Sequence, residues 1–178
     1  MRPMVGKLRL PGTLRPVRGK GMKRIAAYII LLGVAIVIGL YLTARMSREG
    51  QAPGLVDGRL TPCPGEPNCV CSEYPDDREH FVEPLDISSQ DDESLSARMR
   101  AAIVELGGTV RSERADYIWA TFTSSLFGFV DDLEVRIDRQ AGKIHFRSSS
   151  RVGSSDLGVN RKRVEALKQR IRQNAAGG

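Results

Sequence analysis

The chain has 178 residues, 41% of them hydrophobic and 27% charged, which excludes a collagen-like or wholly disordered protein and fits one domain plus an extra segment. Nine of its 27 Lys and Arg lie in residues 1–45, where there is no acid. The other 18 face all 21 Asp and Glu, a balance of −3, so the net charge of +6 belongs to the leader and gives no argument for nucleic acid.

Residues 1–24 are a basic tail. Met22-Lys23-Arg24 followed at once by apolar residues has the form of a bacterial N-terminus, so residues 1–21 read either as a mis-assigned upstream start or as a short disordered segment rich in Gly, Pro and Arg. Residues 25–42 (IAAYIILLGVAIVIGLYL) hold 18 positions without a charge. As a helix they span roughly 27 Å, close to the hydrocarbon thickness of a bilayer. Tyr28 and Tyr41 sit near the ends, where amphipathic rings favour the interface. A transmembrane helix is therefore expected over residues 25–44. Residues 5–24 carry seven Lys or Arg, and residues 43–60 carry Arg45, Arg48 and Arg59. The positive-inside rule then puts the N-terminus in the cytoplasm and the C-terminal domain in the periplasm, anchored in a bacterial inner membrane. The apolar core exceeds the roughly 7–15 residues of a signal peptide, and Leu42-Thr43-Ala44 is a weak cleavage site, which favours an uncleaved anchor. An organelle transit peptide fits poorly, because the leader has one Thr and no Ser.

Residues 45–61 contain Gly50, Pro53, Gly54 and Gly58 and read as a flexible linker. The domain is expected over residues 62–173. Its three cysteines cluster at Cys63, Cys69 and Cys71. Cys69 and Cys71 are too close to pair with each other, so Cys63 is the common partner, with Cys69 first and Cys71 second. Cys63, Cys69, Cys71 and His80 are zinc-type ligands, but their spacing lacks paired C-x2-C knuckles, and no metal is expected.

Residues 81–87 read as a first strand, with Pro84 marking an edge. A helix follows, capped near Asp91, with Leu95, Met99, Ala102, Ile103 and Leu106 on one stripe and Gly107-Gly108 at its end. Residues 109–114 and 117–123 are short strands. The turn Ser124-Ser125-Leu126-Phe127-Gly128 leaves its two apolar side chains either under the sheet or at a tip that meets membrane or partner. Residues 129–138 alternate well and return through residues 139–142 into a strand over 143–150. Pairing Asp138 with Lys143 sets Glu134 opposite Arg147 and Arg136 opposite His145. Asp131 then interrupts the apolar face and needs a partner, for which Arg151 is nearest in sequence. A last helix begins at Asn160 as N-cap, with Val164, Leu167 and Ile171 inward. Arg161, Lys162, Arg163, Lys168, Arg170 and Arg172 cover its other faces, as a solvated surface or a contact for anionic phospholipid or an acidic partner. The order implies an α+β fold: a single antiparallel sheet with helices packed on one face, preceded by one transmembrane helix.

The densest run of polar and glycine residues is 147–161, RSSSRVGSSDLGVNR. Arg147, Arg151 and Arg161 offer forked donors, Ser150 a hydroxyl and Asn160 a helix start, so the run can be an anion site made of Arg147, Ser150, Arg151, Asp156, Asn160 and Arg161. Asp131 and Asp132 would support it. The structural alternative has Asp131, Asp156 and Asn160 satisfying those same arginines. Taken with Cys63-Pro64, Pro67-Asn68-Cys69-Val70 and Phe129-Val130-Asp131-Asp132, the run resembles the bacterial and plastid family called domain of unknown function 1499, over about residues 60–171. The family pattern has Ser at the position of Cys71, which implies Cys63 with Cys69 as the pair. Its members are typically exported or membrane-tethered, and it brings no established activity.

No catalytic residue is assigned. His145 and Ser149 share a strand face but lie about 13 Å apart. No G-x-S-x-G, P-loop or Rossmann fingerprint is present, and no cofactor is implied. The expected function is a non-catalytic, membrane-anchored module binding an anionic ligand, a lipid headgroup or an envelope protein. The alternatives are an envelope hydrolase or transferase using Asp131 and nearby serines, and a structural subunit of a membrane complex.

Overall fold

Three segments rich in alternating apolar positions between residues 117 and 150 build the centre of the fold. In the computed structural model, which describes residues 20–87 and 92–176, β6 (Tyr117–Thr123), β7 (Val130–Asp138) and β8 (Lys143–Ser150) form one antiparallel meander. The β7–β8 register is the expected one, with Asp138 opposite Lys143, Glu134 opposite Arg147 and Asp131 opposite Ser150. β5 (Thr109–Arg114) extends the sheet beyond β6. β3 (Cys69–Cys71) and β4 (Leu85–Asp86) both pair with β8, giving six strands. A separate two-stranded ribbon joins β1 (Leu55–Val56) to β2 (Arg59–Leu60), so the single sheet is only approximate.

Alternate residues turn Ile118, Ala120, Leu133, Val135, Ile137, Ile144 and Phe146 to one face. α2 (Asp92–Glu105) and α3 (Val159–Ala176) cover that face. Leu95, Met99, Ala102 and Ile103 from α2 and Val164, Leu167 and Ile171 from α3 close the core. Burying each such side chain contributes about 1.5–3 kcal/mol, so these stripes hold the helices far more than propensity does. Gly107 takes φ +85 just past α2, the left-handed turn that only glycine adopts cheaply.

The chain divides into two units, residues 1–38 and 39–178. α1 (Lys20–Arg48) is the first helix, and Gly21–Arg48 is long and apolar enough to cross a membrane, with an 18-residue stretch of mean hydropathy 2.7. A signal sequence near an N-terminus can meet the same criterion of length and composition. Residues 1–19 of the basic tail and the Asp91 cap lie outside the described residues.

Two expectations differ from what forms. Residues 81–87 pair as a ladder only at Leu85–Asp86, because Phe81 donates its N–H to Asp77 and Val82 donates to Cys71 instead. Residues 45–61, read as a flexible linker, carry the end of α1 and the β1–β2 ribbon. Leu60 is fully buried there against Cys71 and Tyr117. The opposite face of the sheet is covered as well: Asp132 and Glu134 are buried there, and Glu134 accepts from Gly54 N of this segment.

Candidate functional site

The polar residues of the 147–161 run fall on both faces of the sheet, because β8 alternates. Ser148 and Ser150 face the helices, where Asn160 plugs the gap between α3 and the sheet. Its Oδ1 accepts from Ser148 Oγ at 2.6 Å and from Arg163, and its Nδ2 donates to Asn68 O at 2.8 Å and Ser150 Oγ at 3.1 Å. Asn160 is therefore not the N-cap of α3. Gly158 holds that position, its carbonyl accepting the Lys162 N–H at 3.1 Å, and the capping side chain is Asp156 two residues earlier, whose carboxylate accepts from Gly158 N at 2.9 Å and Asn160 N at 2.6 Å. Asp131 pairs with Arg163 at 2.7 Å rather than with Arg151. Arg163 thus leaves the solvated face expected of α3, turns inward, and also lies 4.6 Å from the Phe122 ring centroid.

Arg147 points to the other face and meets Glu134 at 3.0 Å, as the hairpin register requires. Glu134 also accepts from Tyr117 Oη at 2.8 Å and Gly54 N at 2.9 Å. Burial raises the Glu134 pKa, which Arg147 and Tyr117 only partly offset. Burial and the adjacent Glu134 also raise that of Tyr117. Along the same face Glu73 bridges Arg136 at 2.6 Å and Arg59 at 2.7 Å. Burial alone would raise the Glu73 pKa, but the two guanidiniums hold it below the ordinary value. Arg161 lies apart, donating to the carbonyls of Phe81 and Glu79. The six residues expected as one anion site are thus distributed among three places.

Of that set, Arg151 lines a cavity. Its Nε and Nη2 donate to Asp132 at 2.8 and 2.7 Å, and its Nη1 donates to Ser47 O at 2.9 Å. The cavity beside it measures about 410 Å³ and is lined by Arg48, Glu49, Arg111, Trp119 and Thr121, among others. Arg111 occupies the bulge of β5, an extra residue between Val110, opposite Ala120, and Ser112, opposite Trp119. Its Nε donates to Thr121 Oγ1 at 2.9 Å, while its terminal nitrogens make no protein hydrogen bond among the described residues. Trp119 Nε1 donates to Asp132 at 2.7 Å, which fixes the indole as one wall. Three guanidiniums around one aromatic wall, with Glu49 the lining carboxylate, leave the cavity with an excess of positive charge. Sequence reasoning missed Arg48, Arg111 and Trp119. Arg48 was counted only as flanking charge in orienting the apolar helix, and nothing in the six residues of β5 announces a bulge.

Cys63 and Cys69 form a disulfide, with Cα atoms 5.7 Å apart, which removes two of the four zinc-type ligands considered. Cys71 is a buried free thiol whose pKa burial pushes up to about 11. A serine–histidine contact does exist, Ser72 Oγ to His145 Nδ1 at 3.2 Å. Ser72 is buried, however, and its Oγ accepts the Phe146 N–H at 2.8 Å.

Residues 59–171 match one protein family, described as Protein of unknown function (DUF1499). No curated protein matches the chain.

Proposed function

The chain belongs to the family Protein of unknown function (DUF1499), and from that premise we propose that it is a single-pass, membrane-anchored module that does no chemistry and holds the anionic headgroup of a phospholipid in the cavity beside Arg151. The observation that carries this is the meeting of Arg48, Arg111 and Arg151 with Trp119 around one cavity. Planar guanidiniums bind phosphate oxygens in pairs, and Arg111 has terminal donors to spend. Arg48 lies six residues beyond Leu42, about 9 Å along a helix at 1.5 Å per residue, a distance that suits the headgroup layer. The Cys63–Cys69 disulfide supports an oxidising compartment such as the periplasm, in line with the basic N-terminal flank.

A hydrolase built on Asp131 fits less well. Its carboxylate is neutralised by Arg163 at 2.7 Å, and the hydroxyl of Ser148 is spent on Asn160.

Trp119 is the only tryptophan, so the protein carries its own reporter. Full-length protein in neutral detergent is titrated with short-chain phosphatidylglycerol and, separately, phosphatidylcholine, following indole emission. The expected result is a saturable change with phosphatidylglycerol alone, weakened about tenfold by Arg111→Gln, as one charge-assisted contact predicts, and weakened further by salt. An equal response to both lipids, or none, refutes the assignment.

A further inference from the structure

Outside residues 22–42, the large apolar side chains exposed among the described residues are unevenly placed. Val56 and Val104 stand alone. Met46, Leu126, Phe127, Leu157 and Val159 gather at one pole of the second unit. Two loops make that pole, 124–129 between β6 and β7, and 151–158 between β8 and α3. Pairing of Thr123 with Val130 and of Asp131 with Ser150 sets both loops at the same end of the sheet. The last turn of α1 is bonded to both. Arg48 Nε donates to Gly128 O at 3.5 Å, Val130 N donates to Ser47 Oγ at 3.1 Å, and Arg151 donates to Ser47 O.

We propose that this pole is a second bilayer contact, in which Leu126, Phe127 and Leu157 enter the lipid interface beside the anchor and hold the domain down on the membrane. This deepens the anchored reading above and rests on it. Leu126 is 79% exposed and Leu157 88% exposed, so neither repays its position by packing within the domain. Leu157 also takes φ +55, a left-handed conformation that a leucine adopts at a cost. Asp156, by accepting from the Gly158 and Asn160 N–H groups that follow Leu157, keeps it there. A strained backbone that displays an apolar side chain to water indicates an external partner. That partner is lipid because the patch is continuous with the end of the apolar helix. Its basic neighbours Arg48 and Lys162, both exposed, suit an anionic surface.

The test uses full-length protein in vesicles of phosphatidylethanolamine and phosphatidylglycerol that carry nitroxide on the upper acyl chain. A polarity-sensitive fluorophore is placed on Leu126→Cys, Leu157→Cys or, as a control, Val104→Cys; the buried Cys71 stays unlabelled. Labels at 126 and 157 are expected to be quenched several-fold more than the label at 104. Position 126 lies in a separate loop and keeps the test decisive if the substitution at 157 disturbs its turn. Equal quenching at all three, in protein that survives an alkaline carbonate wash, overturns the docking and leaves the anchor standing. Equal quenching with cross-linking between copies through position 126 also overturns it, in favour of a self-interface. Release of the protein by the wash overturns both.

Discussion

Asn160→Ala separates a structural role for the 147–161 run from a ligand-binding one. The wild-type amide is fully buried and makes four hydrogen bonds, to Ser148, Arg163, Asn68 and Ser150. Each net intramolecular bond contributes about 1 kcal/mol, so their joint loss costs about 4 kcal/mol. Some partners keep another contact. Ser148 Oγ still accepts from Arg163 at 2.9 Å, and Asn68 O still accepts from Ser150 N at 2.9 Å. Alanine also gains about 0.5 kcal/mol in helix propensity. The expected loss is therefore about 3 kcal/mol, or roughly 10–15 °C in Tm for a domain of this size. The comparison is Arg161→Ala, which removes only two exposed contacts to carbonyls and should cost below about 1 kcal/mol. Thermal unfolding of both variants in detergent, followed by Trp119 emission, measures the pair. A loss under about 1 kcal/mol for Asn160→Ala would refute the view that this amide ties α3 to the sheet.

Acid should weaken the fold through Glu73. Its folded pKa lies below the ordinary carboxylate value, so its contribution is full above that value and is lost as pH falls through the folded pKa. Glu73→Gln should accordingly lower Tm at neutral pH and converge with wild type in acid, as a Tm-against-pH series would record. Cys71, with its pKa raised to about 11 and its thiol buried, should resist iodoacetamide at pH 8 in the native state and react once denatured, read by mass. Opening the Cys63–Cys69 bridge, which closes a loop of six residues' separation, should cost about 2 kcal/mol, seen as a lower Tm in Cys63→Ser.

The hairpin of β7 and β8 was legible residue for residue, because seven alternating positions from Asp132 to Asp138 in one strand and a five-residue apolar–polar rhythm in its neighbour admit one register only. Both domain helices were legible from their apolar stripes. The ribbon of Leu55–Val56 and Arg59–Leu60 was not, since two residues per strand carry no period. The site was harder. Asp131 was rightly marked as a carboxylate needing a partner, but the nearest arginine in sequence was not the one supplied. Helix geometry brings Arg163, one turn into α3, to the place that Arg151 would have filled. Arg151 is instead drawn to Asp132 on the neighbouring strand and to Ser47 at the end of α1, contacts separated by 19 and 104 residues that no local pattern encodes. Arg111 reached the cavity through a bulge, and bulges leave little trace in composition.

Native mass spectrometry of full-length protein, gently extracted from the membranes that made it, tests the headgroup-binding role most directly. A bound mass corresponding to an anionic phospholipid, retained by wild type and by Arg161→Ala but lost from Arg111→Gln, is the expected result. Bare protein in every case, or retention of zwitterionic lipid to the same extent with and without Arg111, would contradict it.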